Sequence, residues 1–86
     1  MKYVVYLIIT TAKNKTISYV GYTNNIEKRL KLHNSGKGAK FTKGKKWKLI
    51  YSQNYKSKIK AMREEYKLKK NYKLRKIIKN KYLLNA

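Results

Sequence analysis

The segment Tyr3-Val4-Val5-Tyr6-Leu7-Ile8-Ile9 is an unbroken apolar run in which every residue but Leu7 is β-branched or aromatic. Side chains of that kind fit an extended, pleated backbone. With no polar residue at alternate positions, the run predicts a central strand buried on both faces. Val4 to Ile9 falls far short of the ~20 residues a membrane-spanning helix needs. No small-residue cleavage site follows it, so it does not read as a secretion signal. Neighbouring strands and covering layers must therefore come from the rest of an 86-residue chain. That length suits a single domain, residues 1–86, with a modest core. A chain of this size buries roughly 60–65% of its unfolded surface.

Turn and capping signals place the other elements. Thr10 to Thr16 is polar, with Asn14-Lys15 in the middle, and reads as a hairpin loop. Ile17 to Tyr22 reads as the returning strand, and Gly21 within it marks a bulge or a close backbone approach. Pairing Ile9 with Thr16 would set Tyr6 directly opposite Tyr19, both rings on one face. Asn24 with Glu27 three residues later resembles a capping box opening a helix to about Asn34. Ser35 to Lys46 holds Gly36, Gly38 and Gly44 among Lys37, Lys40, Lys43, Lys45 and Lys46, and reads as a basic loop. Trp47 to Gln53 predicts a third strand, with Leu49 and Tyr51 on one face and Ile50 between them. Ser57 is placed to cap a helix through about Lys70. Asn71 separates it from a last helix with an apolar stripe of Leu74, Ile77, Ile78, Tyr82 and Leu83. The order β-β-α-β-α-α predicts an α+β fold: a small three-stranded, mainly antiparallel sheet flanked by helices.

Charge points to the partner. Lys and Arg total 24 against 3 acidic residues, a formal net charge of +21. Self-repulsion on that scale opposes compaction, so its reason lies outside the fold. A phosphate backbone supplies one, because each phosphate neutralised releases condensed counterions. A genome that favours Lys codons explains the choice of Lys but not the absence of Asp. An anionic membrane is the weaker alternative partner. The chain has no cysteine, which excludes disulfides and cysteine-based zinc sites. A disulfide-free small protein also fits the cytoplasm.

One carboxylate breaks the pattern of its helix. On a wheel with Ile59 at zero, Leu68, Ala61, Met62 and Tyr66 fall at about 180°, 200°, 300° and 340°, a broad apolar arc. Glu65 falls at about 240°, inside that arc, and Glu64 at about 140°, just outside it. A charge among apolar groups needs a partner or a metal. The simplest partner is a nearby Lys or Arg. The alternative is one divalent ion held by Glu65, waters and a substrate phosphate. Three carboxylates in the whole chain cannot build a two-metal cluster.

The first helix carries a second polar set. Ile26 and Leu30 form its apolar stripe, and Arg29 and His33, four apart, lie on an adjoining shoulder at the rim of the buried face. A lone His is often only a satisfied surface or capping residue. Arg29 is one of three arginines where Lys is the default cation, and its planar fork suits phosphate as Lys does not.

Together these residues resemble the GIY-YIG nuclease superfamily, in particular its small stand-alone bacterial members and the nuclease domain of the excision-repair endonucleases. Val4-Val5-Tyr6 stands where the first signature has Gly-Ile-Tyr, and Tyr19-Val20-Gly21 is close to the second. Arg29, His33 one turn later and Glu65 on a subsequent helix continue the pattern in order. The stretches His33 to Gly44 and Ala61 to Tyr66 with Leu68-Lys69-Lys70 match as well, so the resemblance spans nearly the whole chain. Tyr22 departs from it where repair-type members often carry Lys. The family's frequent late Asn has no secure counterpart, Asn71 and Asn80 being the candidates.

The resemblance implies a DNA endonuclease with Glu65 as sole protein ligand of one Mg2+ or Mn2+. Tyr6 and Tyr19 would border the scissile phosphate, one of them as general base or water positioner. Arg29 would stabilise the charge of the pentacovalent state, and His33 would carry a proton or contact phosphate. Gly21 would admit the backbone to the substrate, and Lys37, Lys40, Lys43, Lys45 and Lys46 would grip DNA, branched or single-stranded. Specificity would come from DNA shape or from a protein partner. The rival readings are a non-catalytic nucleic-acid-binding module and an accessory protein that keeps the fold.

Overall fold

The structure, a computed structural model, describes residues 2–12 and 15–85. Six elements follow in the expected order: β1 (Tyr3–Ala12), β2 (Lys15–Thr23), α1 (Ile26–Asn34), β3 (Lys48–Tyr55), α2 (Lys58–Lys70) and α3 (Tyr72–Leu84). The strands form one antiparallel sheet in the order β2-β1-β3. The apolar run is thus the central strand, and Val5 through Ile9 are all buried.

Both faces of the sheet are covered. On one, Val5, Leu7 and Val20 pack with Ala61 and Leu68 of α2, joined by Ile50, Tyr51 and Ile78. On the other, Tyr6, Ile8 and Trp47 pack with Ile17, Tyr19, Ile26, Leu30 and Leu49. Odd-numbered β1 residues therefore meet α2 and α3, and even-numbered ones meet α1 and the loop behind it.

Four local expectations are corrected. The hairpin is tighter than predicted: β1 and β2 stay paired to Ala12↔Lys15, so most of the predicted loop is strand, and residues 13 and 14 at its centre lie outside the described residues. The register shifts by two, putting Tyr6 opposite Gly21 and Tyr19 opposite Ile8. A shift of two preserves side-chain parity, so Tyr6 and Tyr19 still share a face. In β3 the register slips between Leu7↔Tyr51 and Ile8↔Leu49, leaving Ile50 as an extra residue. Such a bulge reverses the alternation, and Leu49 and Tyr51 point to opposite faces.

The cap of α1 is Asn25 rather than Asn24: its side chain accepts from the Lys28 N–H at 3.1 Å. Glu27 then lies in the first turn, where its charge favours the positive end of the helix dipole. Ser57 caps α2 as predicted, accepting from Lys60 N–H at 3.0 Å, and Asn71 caps α3 through Leu74 N–H. The apolar arc of α2 is only partly buried. Ala61 and Leu68 face the sheet, whereas Ile59, Met62 and Tyr66 are exposed. The stripe on α3 is likewise open, with Leu74, Ile77 and Leu83 exposed. Two helices share one face of a three-stranded sheet, which leaves too little area to cover both stripes.

Candidate active site

The register that sets Tyr6 against Gly21 builds the site. A Cβ on residue 21 would overlap the Tyr6 hydroxyl and lie 2.6 Å from its Cζ. Glycine leaves room for the end of the Tyr6 ring over β2, with its hydroxyl above residue 21. There it meets α1: Tyr6 Oη lies 2.7 Å from His33 Nε2. His33 is wholly buried rather than at the rim. The neighbouring aromatic and apolar side chains seal it, with Tyr6 and Tyr19 packing against its ring at centroid distances of 5.7 and 5.2 Å.

The second His33 nitrogen has a partner that sequence reading missed. Nδ1 lies 2.9 Å from Thr42 Oγ1, and Thr42 is fully buried. The Thr42 hydroxyl donates to Ala39 C=O at 3.0 Å and accepts the Ala39 N–H at 3.2 Å. Its single hydrogen being committed, it can only accept from His33, so the proton sits on Nδ1. Nε2 is then the acceptor, and the Tyr6 O–H donates to it. The result is a directed chain: Tyr6 O–H to His33 Nε2, His33 Nδ1–H to Thr42, Thr42 O–H to Ala39 C=O.

The loop that delivers Thr42 is held at both ends. Gly36, at φ 83°, ends α1 in a left-handed conformation that glycine adopts without strain. Asn34 brackets the return: its amide donates to Trp47 C=O and its carbonyl accepts the Trp47 N–H. Trp47 Nε1 donates to Thr42 C=O at 3.0 Å. Gly38 passes so close to His33 that a Cβ there would lie 2.9 Å from the His33 Cα and collide with the ring. Thr42, Gly38, Asn34 and Trp47 sit in or beside the segment read as a basic loop. Only the small and apolar residues among the lysines hinted that part of it turns inward.

Arg29 spans the site. Its Nη2 donates to Gly38 C=O at 3.2 Å, and its guanidinium lies near enough to the Tyr6 hydroxyl to act on its pKa. Burial raises the Tyr6 pKa above its usual 10.0; Arg29 opposes this by hydrogen bond and charge, and the charges of Tyr19 and Glu65 add to the rise. Burial lowers the His33 pKa below its usual 6.5, and the Arg29 charge lowers it further. Both shifts favour the neutral pair, an intact phenol donating to a neutral imidazole.

Glu65 stands beside this cluster, close enough for its charge to act on Tyr6. Its side chain is 16% exposed, and Oε1 lies 3.4 Å from Lys69 Nζ, one turn along α2. The Lys69 end of the pair is half exposed, the Glu65 end largely buried, and the contact is to one carboxylate oxygen. Glu64 pairs with Lys67 on the other flank. Among the described residues no group of three or more His, Cys, Asp or Glu side chains lies together. The donor present, a single carboxylate, fits a hard divalent ion that keeps most of its waters. Lys37, Lys40, Lys43 and Lys46 are exposed on the loop, and Lys45 folds back to donate to Phe41 C=O.

In comparison with known proteins, residues 2–82 match the GIY-YIG catalytic domain family, and the chain belongs to that family. Among individual relatives, it is 42% identical over 65 residues to UPF0213 protein OB0043 of Oceanobacillus iheyensis, covering 74% of each chain. It is 45% identical to UPF0213 protein SH2523 of Staphylococcus haemolyticus, covering 74% of this chain and 78% of that one. A solution structure of UPF0213 protein BH0048 from Bacillus halodurans is 35% identical, covering 99% of this chain and 84% of that one, with a TM-score of 0.47. None of the described helices is long and apolar enough to cross a membrane.

Proposed function

We propose that the protein is a divalent-metal-dependent endonuclease that hydrolyses DNA phosphodiester bonds at the Tyr6–His33–Arg29–Glu65 cluster. The observation that carries this reading is the directed chain from Tyr6 through His33 to Thr42, buried on one side and bordered by Arg29 and Glu65 on the other.

One Mg2+ or Mn2+ held by Glu65, waters and a substrate phosphate would supply Lewis-acid polarisation of that phosphate. The protein's own groups do the rest. The Tyr6 oxygen takes a proton from the attacking water as its own proton passes to His33 Nε2. The water oxygen then bonds to phosphorus, the bond to the leaving oxygen breaks, and that oxygen takes a proton from solvent. The neutral His33 tautomer is the form able to receive the Tyr6 proton, and Thr42 holds it. Because the ring is fully buried with both nitrogens engaged, proton carriage suits it better than direct phosphate contact. Arg29 offers its fork to the oxygens that gain charge. Tyr19 borders the phosphate beside Tyr6, and the loop lysines hold the flanking backbone.

Incubation with supercoiled, linear duplex, single-stranded and branched DNA, with Mg2+ or Mn2+ and with chelator, tests the reading. Metal-dependent cleavage that Glu65→Gln abolishes is expected. Cleavage that survives Glu65→Gln unchanged overturns the metal assignment, and no cleavage of any form overturns the enzymatic reading. A second reading, a binding module without turnover, is favoured by the Glu65–Lys69 ion pair, in which Lys69 occupies one carboxylate oxygen.

A further inference from the structure

At the open edge of β2, beside Glu65, lies a cleft of about 230 Å3 lined by Ser18, Tyr19, Val20, Phe41, Lys69 and Arg75. It is below the roughly 300 Å3 at which drug-sized pockets begin, room for one small planar group. Its residues come from β2, the loop, α2 and α3, and none of the sequence signals pointed to it.

Phe41 is 51% exposed although it is an apolar ring among lysines. It stacks on Tyr19 at a centroid distance of 6.1 Å and an interplanar angle of 22°, so the platform is continuous with the site. The Lys45 ammonium sits 5.7 Å from the Phe41 centroid. The Arg75 Nε is buried with no hydrogen-bond partner among the described residues. Its Nη1 makes only a long contact of 3.4 Å to Ser18 Oγ. An exposed ring and two cations, Lys69 and an Arg75 with an unsatisfied guanidinium N–H, meet in one cleft. Unpaired nucleotides are recognised by this combination, the base on an aromatic face and the phosphate on Arg or Lys.

We propose that the Phe41–Lys69–Arg75 cleft is a subsite for one unpaired nucleotide next to the scissile phosphate, with its base against Phe41 and its phosphate on Arg75 and Lys69. A base held in a continuous duplex is stacked on both sides and cannot reach a ring in a cleft. The subsite therefore favours single-stranded DNA or an unpaired segment of branched DNA over intact duplex. This rests on the proposed nuclease reading for the position of the phosphate, but the binding it predicts needs neither metal nor turnover.

The test measures the affinity of the full chain for a single-stranded oligonucleotide and for the duplex of the same sequence, both in chelator. Phe41→Ala and Arg75→Gln should each weaken single-strand binding by about tenfold or more, while duplex binding changes by less than about threefold. Phe41→Trp should retain single-strand affinity, and a 2-aminopurine in the strand should show base stacking that Phe41→Ala removes. Circular dichroism confirms that each variant is folded; should Phe41→Ala fail to fold, Arg75→Gln and the 2-aminopurine signal of the unaltered chain decide. Equal losses on both DNA forms, or no loss on either, overturn the subsite. Failure of the nuclease reading looks different: no DNA is cut, yet the single-strand preference and its loss in Phe41→Ala persist.

Discussion

The Tyr6 hydroxyl donates to His33 Nε2 across 2.7 Å, joining the central strand to α1 inside the protein. Tyr6→Phe keeps the ring but leaves Nε2 buried without a donor, at a cost of about 1–3 kcal/mol. Urea denaturation should report that loss. On the proposed mechanism cleavage should fall much further than stability, because the phenolic oxygen that would receive the water proton is gone.

The opposed pKa shifts of this pair predict how stability depends on pH. His33 is held below 6.5, so the unfolded chain binds more protons as the pH falls. Its contribution is complete above 6.5 and is lost as the pH falls through the lower, folded value. Tyr6 is held above 10.0, so its contribution is complete below 10.0 and is lost as the pH rises through the raised value. Urea melts across the pH range should show a decline at both ends. The alkaline decline should shrink in Tyr6→Phe, which has no phenol to ionise.

Gly21→Ala forces a methyl group into the Tyr6 hydroxyl. Tyr6 is 1% exposed and cannot swing aside, so overpacking should cost about 1–3 kcal/mol. Adding Tyr6→Phe removes the nearest clashing atom and should recover part of the stability but none of the activity. A double-mutant cycle in denaturant measures that coupling.

On the proposed reading, Lys69 would compete with a metal for Glu65. Surface ion pairs are worth about 0–1 kcal/mol. At saturating DNA, which offsets the loss of a phosphate contact, Lys69→Met should therefore lower the Mn2+ concentration for half-maximal cleavage by no more than about fivefold. Glu65→Gln should reduce cleavage by at least about 100-fold at any metal concentration, reflecting several kcal/mol of lost charge stabilisation.

Lys37, Lys40 and Lys43 are exposed, and no hydrogen bond or ion pair of their side chains is among those described. Replacing all three with Ala should leave thermal stability unchanged and weaken duplex and single-stranded binding alike. The slope of log affinity against log salt on duplex should fall by about 0.9 for each phosphate contact removed, at most about 2.7. An unaltered slope would separate the loop lysines from the DNA.

The legible part of the fold was what short-range chemistry controls. The β-branched run identified the central strand, and Ser57 and Asn71 marked where helices begin and part. The catalytic candidates were legible by residue type and order, Glu65 because a carboxylate beside Ala61 and Leu68 needs explaining. Phe41, Lys69 and Arg75 were not legible as a group. They lie on three separate elements and converge only where the loop, α2 and α3 reach the edge of β2. Thr42 was hidden for a related reason, since a buried hydroxyl in a lysine-rich loop looks like a solvated one until its partner is known.

The sequence by itself determined that Val5 through Ile9 would be buried, that Tyr6 and Tyr19 would share a face, and that the surface would be strongly cationic. Strand alternation, apolar patterning and charge are local properties, so they survive a register error of two residues. Tertiary structure alone decided that Tyr6 faces Gly21 rather than Tyr19, that the Ile50 bulge parts Leu49 from Tyr51, and that His33 is sealed between Tyr6 and Thr42. Register and burial depend on which distant segments close over a strand. The identity of His33 was written in the chain; its proton-accepting tautomer was set by Thr42, nine residues away and folded back against it.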